Sequence, residues 1–176
     1  MATRAARVDD AAAIASVYAQ SWRETYTGRI PERIIEARTA VEKVRAQWSA
    51  RLGEPRAADI IFVNEEDGVI RGFLWIVQRS AVEERERGPG NYLSALYVLA
   101  NAHGRGIGRK LLGAGAGVML SRGQLALSFA VLATNPARAF YEHLGAQYIS
   151  TSTIQDGADR WDQCAYEWPD VTPLSS

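Results

Sequence analysis

Between Leu96 and Leu112 the chain runs from an apolar segment, Leu96-Tyr97-Val98-Leu99, through His103-Gly104-Arg105-Gly106-Ile107-Gly108 and on into Arg109-Lys110-Leu111-Leu112. This spacing predicts a strand that feeds a glycine-rich turn and then a helix. The first N–H groups of such a helix have no intrahelical acceptor, and the helix dipole adds about half a positive charge at the same point. The result is an anion cradle, in which glycine lets a phosphate approach the backbone and Arg105 and Arg109 contribute charge. A nucleotide P-loop would need lysine and then Ser or Thr after the last glycine, whereas Gly108 is followed by Arg109, Lys110 and Leu111. A Rossmann turn would carry glycine at position 109 and an acidic residue about 20 positions later. A turn selected only for tight packing stays open on these residues alone.

The whole chain supplies no compensating field. Its 20 basic and 20 acidic residues cancel, so any anion must be held locally, and neither nucleic acid nor an anionic membrane surface is an expected partner. At 176 residues the expectation is one domain, 1–176, with its core at about 4–168. Cys164 is the single cysteine, which excludes an intramolecular disulfide and fits a reducing, cytoplasmic setting. No apolar leader is visible in Met1–Asp10. The apolar stretch Leu111–Ala133 carries Arg122, Gly123 and Gln124 near its centre, so it reads as a helix, a turn and a buried strand rather than a membrane span. His103, His143 and Cys164 lack metal-ligand spacing, and no metal is expected.

Along the chain, Ala5–Val8 reads as a first strand, and Asp9-Asp10 precede a helix from about Ala11 to Trp22. Pro31 opens a second helical region that continues to about Leu52. Ile60–Asn64 and Val69–Gln78 flank Glu66-Asp67-Gly68 as a hairpin, and Val82–Gly90 reads as a loop. Asn91–Leu99 is the next strand, Ile107–Arg122 a helix and Leu125–Leu132 a buried strand. Asn135-Pro136 would cap and start a helix to His143, and Tyr148–Thr153 and Arg160–Trp168 form a final hairpin. The expected architecture is α+β, a mixed, mostly antiparallel central sheet of about seven strands flanked by about four helices.

A second segment, Asn135-Pro136-Ala137-Arg138-Ala139-Phe140-Tyr141-Glu142-His143-Leu144-Gly145, changes the weight of the first. Together the two resemble the GCN5-related N-acetyltransferase (GNAT) superfamily. Its signature is an apolar strand, then Arg or Gln, two residues, Gly, one residue, and Gly or Ala, with a Phe-Tyr helix downstream. The resemblance covers nearly the whole chain, Ala5 to Trp168, and extends to Trp22–Pro31, a region that lines the acceptor side in bacterial members. For Trp22 and Tyr26 plain core packing remains the alternative. The resemblance implies an N-acetyltransferase that moves an acetyl group from acetyl-CoA to a primary amine by direct attack in a ternary complex. It leaves room for a homodimer. The backbone around His103, Gly104, Arg105, Gly106, Ile107, Gly108 and Arg109 would hold the coenzyme A pyrophosphate. The strand edge at Leu96, Tyr97 and Val98 would pair with the pantetheine arm, Asn135 would lie on the cofactor side, and Tyr141 would protonate the leaving thiolate.

Three positions depart from the family pattern. His103 stands where Arg or Gln is usual. Thr134 stands where an asparagine is usual, one residue before Asn135, which then serves as a helix cap. Tyr92 stands where many relatives carry a glutamate base. A base is a chemical necessity, because an amine of pKa about 10.4 is neutral only about once in a few thousand molecules at pH 7. Glu24, Glu83 and Glu84 have suitable chemistry, and none is assigned. A non-catalytic acyl-CoA-binding module of the same fold is the alternative that a missing base favours.

Overall fold

The computed structural model describes residues 1–54, 58–78 and 90–175. Seven strands, β1 (Ala2–Ala5), β2 (Ile60–Glu66), β3 (Val69–Gln78), β4 (Asn91–Val98), β5 (Leu127–Leu132), β6 (Gln147–Asp156) and β7 (Asp159–Trp168), form one sheet in the order β1-β2-β3-β4-β5-β7-β6. Every neighbouring pair is antiparallel except β4 and β5. A parallel neighbour demands a crossover, and the helix α4 (Ile107–Ser121) supplies it. The other helices are α1 (Ala11–Tyr26), α2 (Glu32–Arg38), α3 (Val41–Gly53) and α5 (Arg138–His143). That makes five among the described residues where about four were expected.

The alternation of β3 shows how the sheet is covered. Leu74 and Ile76 are buried in a cluster with Leu111, Leu112 and Met119 of α4, while Phe73 joins Ile14 and Val17 of α1 and Val44 and Trp48 of α3 on the other face. In β4 this alternation is broken. Trp75 pairs with Ala95 and Ile76 with Leu93, so Ser94 is an extra residue, a β-bulge. Leu93 and Ala95, two positions apart, consequently belong to opposite clusters. The bulge also swings Tyr97 to the α1 face, where Phe73 lies 5.6 Å away between ring centroids.

Several boundaries differ from expectation. The first strand is Ala2–Ala5 rather than Ala5–Val8, because Arg4 binds Asp10 and Glu65 (both 2.7 Å) and thereby ties β1 to β2 and to the start of α1. Val8–Asp10 is instead a 3-10 turn. The second helical region breaks at Thr39–Ala40 into α2 and α3, with Thr39 buried. β5 begins at Leu127, since the Leu125 carbonyl accepts from Val171 N–H. α5 begins at Arg138, two residues after Pro136. Burial continues past Trp168, where Val171 and Leu174 join the α4 cluster. The segment Val82–Pro89 lies outside the described residues. No helix among the described residues is long and apolar enough to cross a membrane, and no group of three or more His, Cys, Asp or Glu among them is placed to hold a metal ion.

Candidate active site

The site begins where β4 and β5 part. Their register is Tyr92 with Ser128 at the start of both strands, while β4 stays paired with β3 through Val98. In an antiparallel ladder the N–H and C=O of one residue point the same way, and successive residues alternate. Leu99 N–H donates to Arg71 on the β3 side (2.9 Å), so Tyr97 also faces β3 and the polar groups of Leu96 and Val98 turn toward the opening. The Val98 carbonyl confirms this direction, since it accepts a hydrogen bond from His103 Nε2 at 2.8 Å. A carbonyl only accepts, so Nε2 carries the proton. His103, expected at the phosphates, therefore makes a local turn contact with its imidazole.

The glycine turn stands beside that opening. His103 N–H donates to Ala100 and Lys110 N–H to Gly106 (3.2 and 3.0 Å), and the six amides between, residues 104–109, have no backbone acceptor among the described residues. Gly104 and Gly106 make this possible, with φ of +72° and +74°, a region that side chains with Cβ rarely occupy. These amides include the first turn of α4, fifteen residues long, so its dipole reinforces them. Of the two arginines expected to add charge, Arg105 forms an ion pair with Glu66 of β2. Arg109 is exposed and has no ion pair among the described residues. The cradle is thus mainly a backbone feature.

Tyr141 approaches from α5. It is 6% exposed, packed against Phe129 (4.6 Å between centroids), Phe140 (5.3 Å) and Trp168 (6.0 Å). Burial raises its pKa far above the ordinary phenol value, and Tyr26 raises it further, so the hydroxyl keeps its proton at neutral pH. Asn135 joins the two sides of the opening: its Oδ1 accepts from Ala137 N–H (2.8 Å), which caps the start of α5, and its Nδ2 donates to the Tyr26 hydroxyl (3.0 Å). Arg29 reaches across to the Thr134 carbonyl at 3.1 Å. Trp22 Nε1 donates to the Tyr97 hydroxyl at 2.8 Å. Burial raises the pKa of Tyr26 and Tyr97 as well. Trp22, Tyr26 and Tyr97 thus make polar contacts as well as ring contacts on this side of the sheet. The sequence places Trp22 and Tyr26 in the segment that resembles the acceptor side and Tyr97 on the strand edge, but carries no signal for the contacts between them.

The base candidates are separated by the structure. Glu24 accepts from Ala100 N–H (3.1 Å) and from Gln20 Nε2 (2.8 Å), which fixes α1 to the turn before His103. Glu83 and Glu84 lie outside the described residues. Tyr92 occupies the start of β4, opposite Ser128.

The profile of the acetyltransferase (GNAT) family covers residues 15–146, and the chain belongs to that family. A relative from Bacillus subtilis (strain 168), described as the uncharacterized N-acetyltransferase YuaI, is 25% identical over 173 residues, 98% of this chain and 95% of the relative. Among solved structures, a ribosomal-protein-alanine N-acetyltransferase from Brucella melitensis shares 24% identity with a TM-score of 0.73, covering 95% of this chain and 98% of the other. YncA from Salmonella typhimurium, a putative acetyltransferase with its cofactor acetyl-CoA, shares 20% identity with a TM-score of 0.70, covering 97% and 94%. These likenesses show the fold.

Proposed function

We propose that this protein is an acetyl-CoA-dependent N-acetyltransferase acting on a primary amine by direct attack within a ternary complex. The observation that carries the reading is the adjacency of the six free amides at residues 104–109 to the open edge of β4. Amide donors at a helix start suit a pyrophosphate. An unpaired strand edge suits an extended amide-containing arm, which adds as a further strand partner. The solved acetyl-CoA complex of YncA supports the same assignment.

In this reading residues 104–109 bind the pyrophosphate, and Leu96 and Val98 orient the pantetheine arm and hold the thioester along β4. A free backbone N–H of the open edge polarises the thioester carbonyl. The amine enters from the α1 face and forms the N–C bond as the C–S bond breaks. Tyr141 donates its hydroxyl proton toward the departing sulfur. Cys164 is buried in β7, paired with Val131 and Thr151, a position that favours direct attack over a cysteinyl intermediate.

One observation favours the second reading, a non-catalytic acyl-CoA-binding module: the Glu24 carboxylate is already engaged by Ala100 and Gln20. Thiol release from acetyl-CoA across a panel of amines tests both. Amine-dependent release supports the transferase. Thermal stabilisation by acetyl-CoA without release for any amine would establish the binding module, and no stabilisation would remove both.

A further inference from the structure

The glycine turn carries one carboxylate contact among the described residues, the ion pair of Arg105 with Glu66. Glu66 closes β2 immediately before the Asp67-Gly68 turn, and its side chain is 16% exposed. A carboxylate beside amides that suit an anion opposes them, so its presence needs a cause. That cause lies in β3. Asn64 pairs with Gly72 and Glu65 with Ile70, which leaves Arg71 as the extra residue of a β-bulge. Bulges re-aim side chains, and this one brings Arg71 Nε to 3.5 Å from Glu66 Oε2, while Arg105 binds Oε1.

The two arginines are not held alike. Arg71 Nε is buried and makes no hydrogen bond, since 3.5 Å is too long for a good charged contact. A buried donor left unpaired is costly, and the Glu66 carboxylate is the acceptor beside it. Arg71 is also fixed in place: its carbonyl accepts Leu99 N–H at 2.9 Å, and a Cβ added to the next residue, Gly72, would stand 2.8 Å from the Tyr97 carbonyl oxygen. Arg105 is the most exposed of the three side chains, at 44%, and stands among the six free amides. Glu66 therefore has one partner anchored in the sheet and one at the cradle, and closing on the first leaves the second free.

Resting on the acetyl-CoA reading above, we infer that Glu66 is a positioning residue that governs the cofactor cradle by exchange of partners: it holds Arg105 before the diphosphate arrives, then yields Arg105 to the diphosphate and closes on Arg71. No covalent bond changes and no proton moves. The diphosphate competes with a charge already in place, so the cofactor is held less tightly than the amides and a free Arg105 would hold it. The spent coenzyme carries the same diphosphate and leaves faster for the same reason. Glu65, the preceding residue of β2, has no part in this, because it pairs with Arg4.

The test measures the Kd of acetyl-CoA by calorimetry and the dissociation rate of CoA by stopped flow, with the full chain and its variants. Glu66→Gln should tighten acetyl-CoA by about threefold or more. CoA dissociation should slow by a similar factor, because affinity changes within one site fall mainly on dissociation. The gain must act through Arg105, so in an Arg105→Met background Glu66→Gln should move Kd by less than about twofold. Arg71→Met removes the alternative partner and should weaken acetyl-CoA by about twofold or more, an effect that vanishes once residue 66 is glutamine. Melting temperatures without ligand show which variants fold. Unchanged or weaker binding in a folded Glu66→Gln variant overturns the inference, as does a gain that persists in Arg105→Met, and both leave the acetyltransferase reading in place. Where Glu66→Gln does not fold, Arg71→Met decides, and unchanged acetyl-CoA binding there overturns the inference. Failure of the parent protein to bind acetyl-CoA overturns both.

Discussion

Gly108 and Phe140 touch across the site: a Cβ added to Gly108 would stand 3.0 Å from Cζ of Phe140. The glycine turn and the Phe-Tyr helix, which are read as separate motifs along the chain, are one packing unit in space. Alanine at position 108 demands a shift of a few tenths of an ångström from Phe140. Its helix propensity, about 0.5 to 1 kcal/mol better than glycine, offsets that demand. Gly108→Ala should therefore change stability little. Gly108→Val pushes a branched side chain into the ring and should cost about 1 to 3 kcal/mol, or roughly 2 to 10 °C in Tm for a chain of this size. It should also weaken the stabilisation by acetyl-CoA, because Tyr141 follows Phe140. Thermal melts with and without acetyl-CoA check both variants.

The elements that were legible in the sequence are those whose causes are local. The hairpin around Asp67-Gly68 needs only positive φ at those two positions, 51° and 76°, and the turn at residues 104–108 needs only its glycines. The relationships that build the site are not local. Trp22 meets Tyr97 across 75 positions and Tyr26 meets Asn135 across 109, and no periodicity encodes which aromatic edge faces which hydroxyl. The position of the first strand is likewise set by a distant contact. Ala5–Val8 is as good a strand as Ala2–Ala5 by propensity, and the choice is made by Arg4 meeting Glu65, 61 positions away. The α2–α3 break at Thr39–Ala40 has no glycine or proline to announce it.

The Arg4–Asp10 pair sets an acid limit on stability. Asp10 accepts two hydrogen bonds from Arg4 (2.7 and 2.9 Å) and one from Arg7 N–H (2.7 Å), and the guanidinium beside it holds its carboxyl below the ordinary value. A depressed carboxyl contributes stability at pH values above its unfolded pKa, about 3.9, and loses it as pH falls through the lower folded value. Asp10→Asn should thus cost about 1 to 3 kcal/mol at pH 7. The gap from the parent protein should close below about pH 4. Denaturant unfolding between pH 3 and pH 7 measures both, and a gap independent of pH would assign the loss to packing alone.

The Tyr26–Asn135 contact should couple the two sides of the opening. Asn135→Ala removes both the cap on Ala137 and the bond to Tyr26, and should cost about 0.5 to 2 kcal/mol. Tyr26→Phe should cost about 0.5 to 1.5 kcal/mol. In the double variant the shared bond is counted once, so the losses should fall short of additivity by about 0.5 kcal/mol or more. A double-mutant cycle from denaturant unfolding settles it, and additive losses would mean that the contact contributes nothing.

The last prediction concerns Tyr141 as the proton donor. Its ring is fixed by Phe129, Phe140 and Trp168, so replacing it with phenylalanine removes one oxygen and leaves the packing nearly intact. Burial acts on the hydroxyl in two opposed ways. It keeps the phenol protonated at neutral pH, and by raising the pKa it makes the phenol a weaker acid than a free tyrosine. A thiol of pKa about 8.5 produces a leaving group less basic than a phenolate, so complete transfer from Tyr141 is uphill. Its benefit must come while the C–S bond is breaking, through a hydrogen bond that strengthens as charge builds on sulfur. Positioned acids contribute about 10² to 10⁴ in rate, and this opposition places Tyr141 at or below the lower end. Tyr141→Phe should reduce kcat by at least about tenfold, with the Kd for acetyl-CoA moving less than about threefold because the lost group acts on the transition state. Retained kcat would make Tyr141 a packing residue and leave water to protonate the departing sulfur. A collapse in affinity with kcat preserved would make it part of the wall of the pantetheine channel.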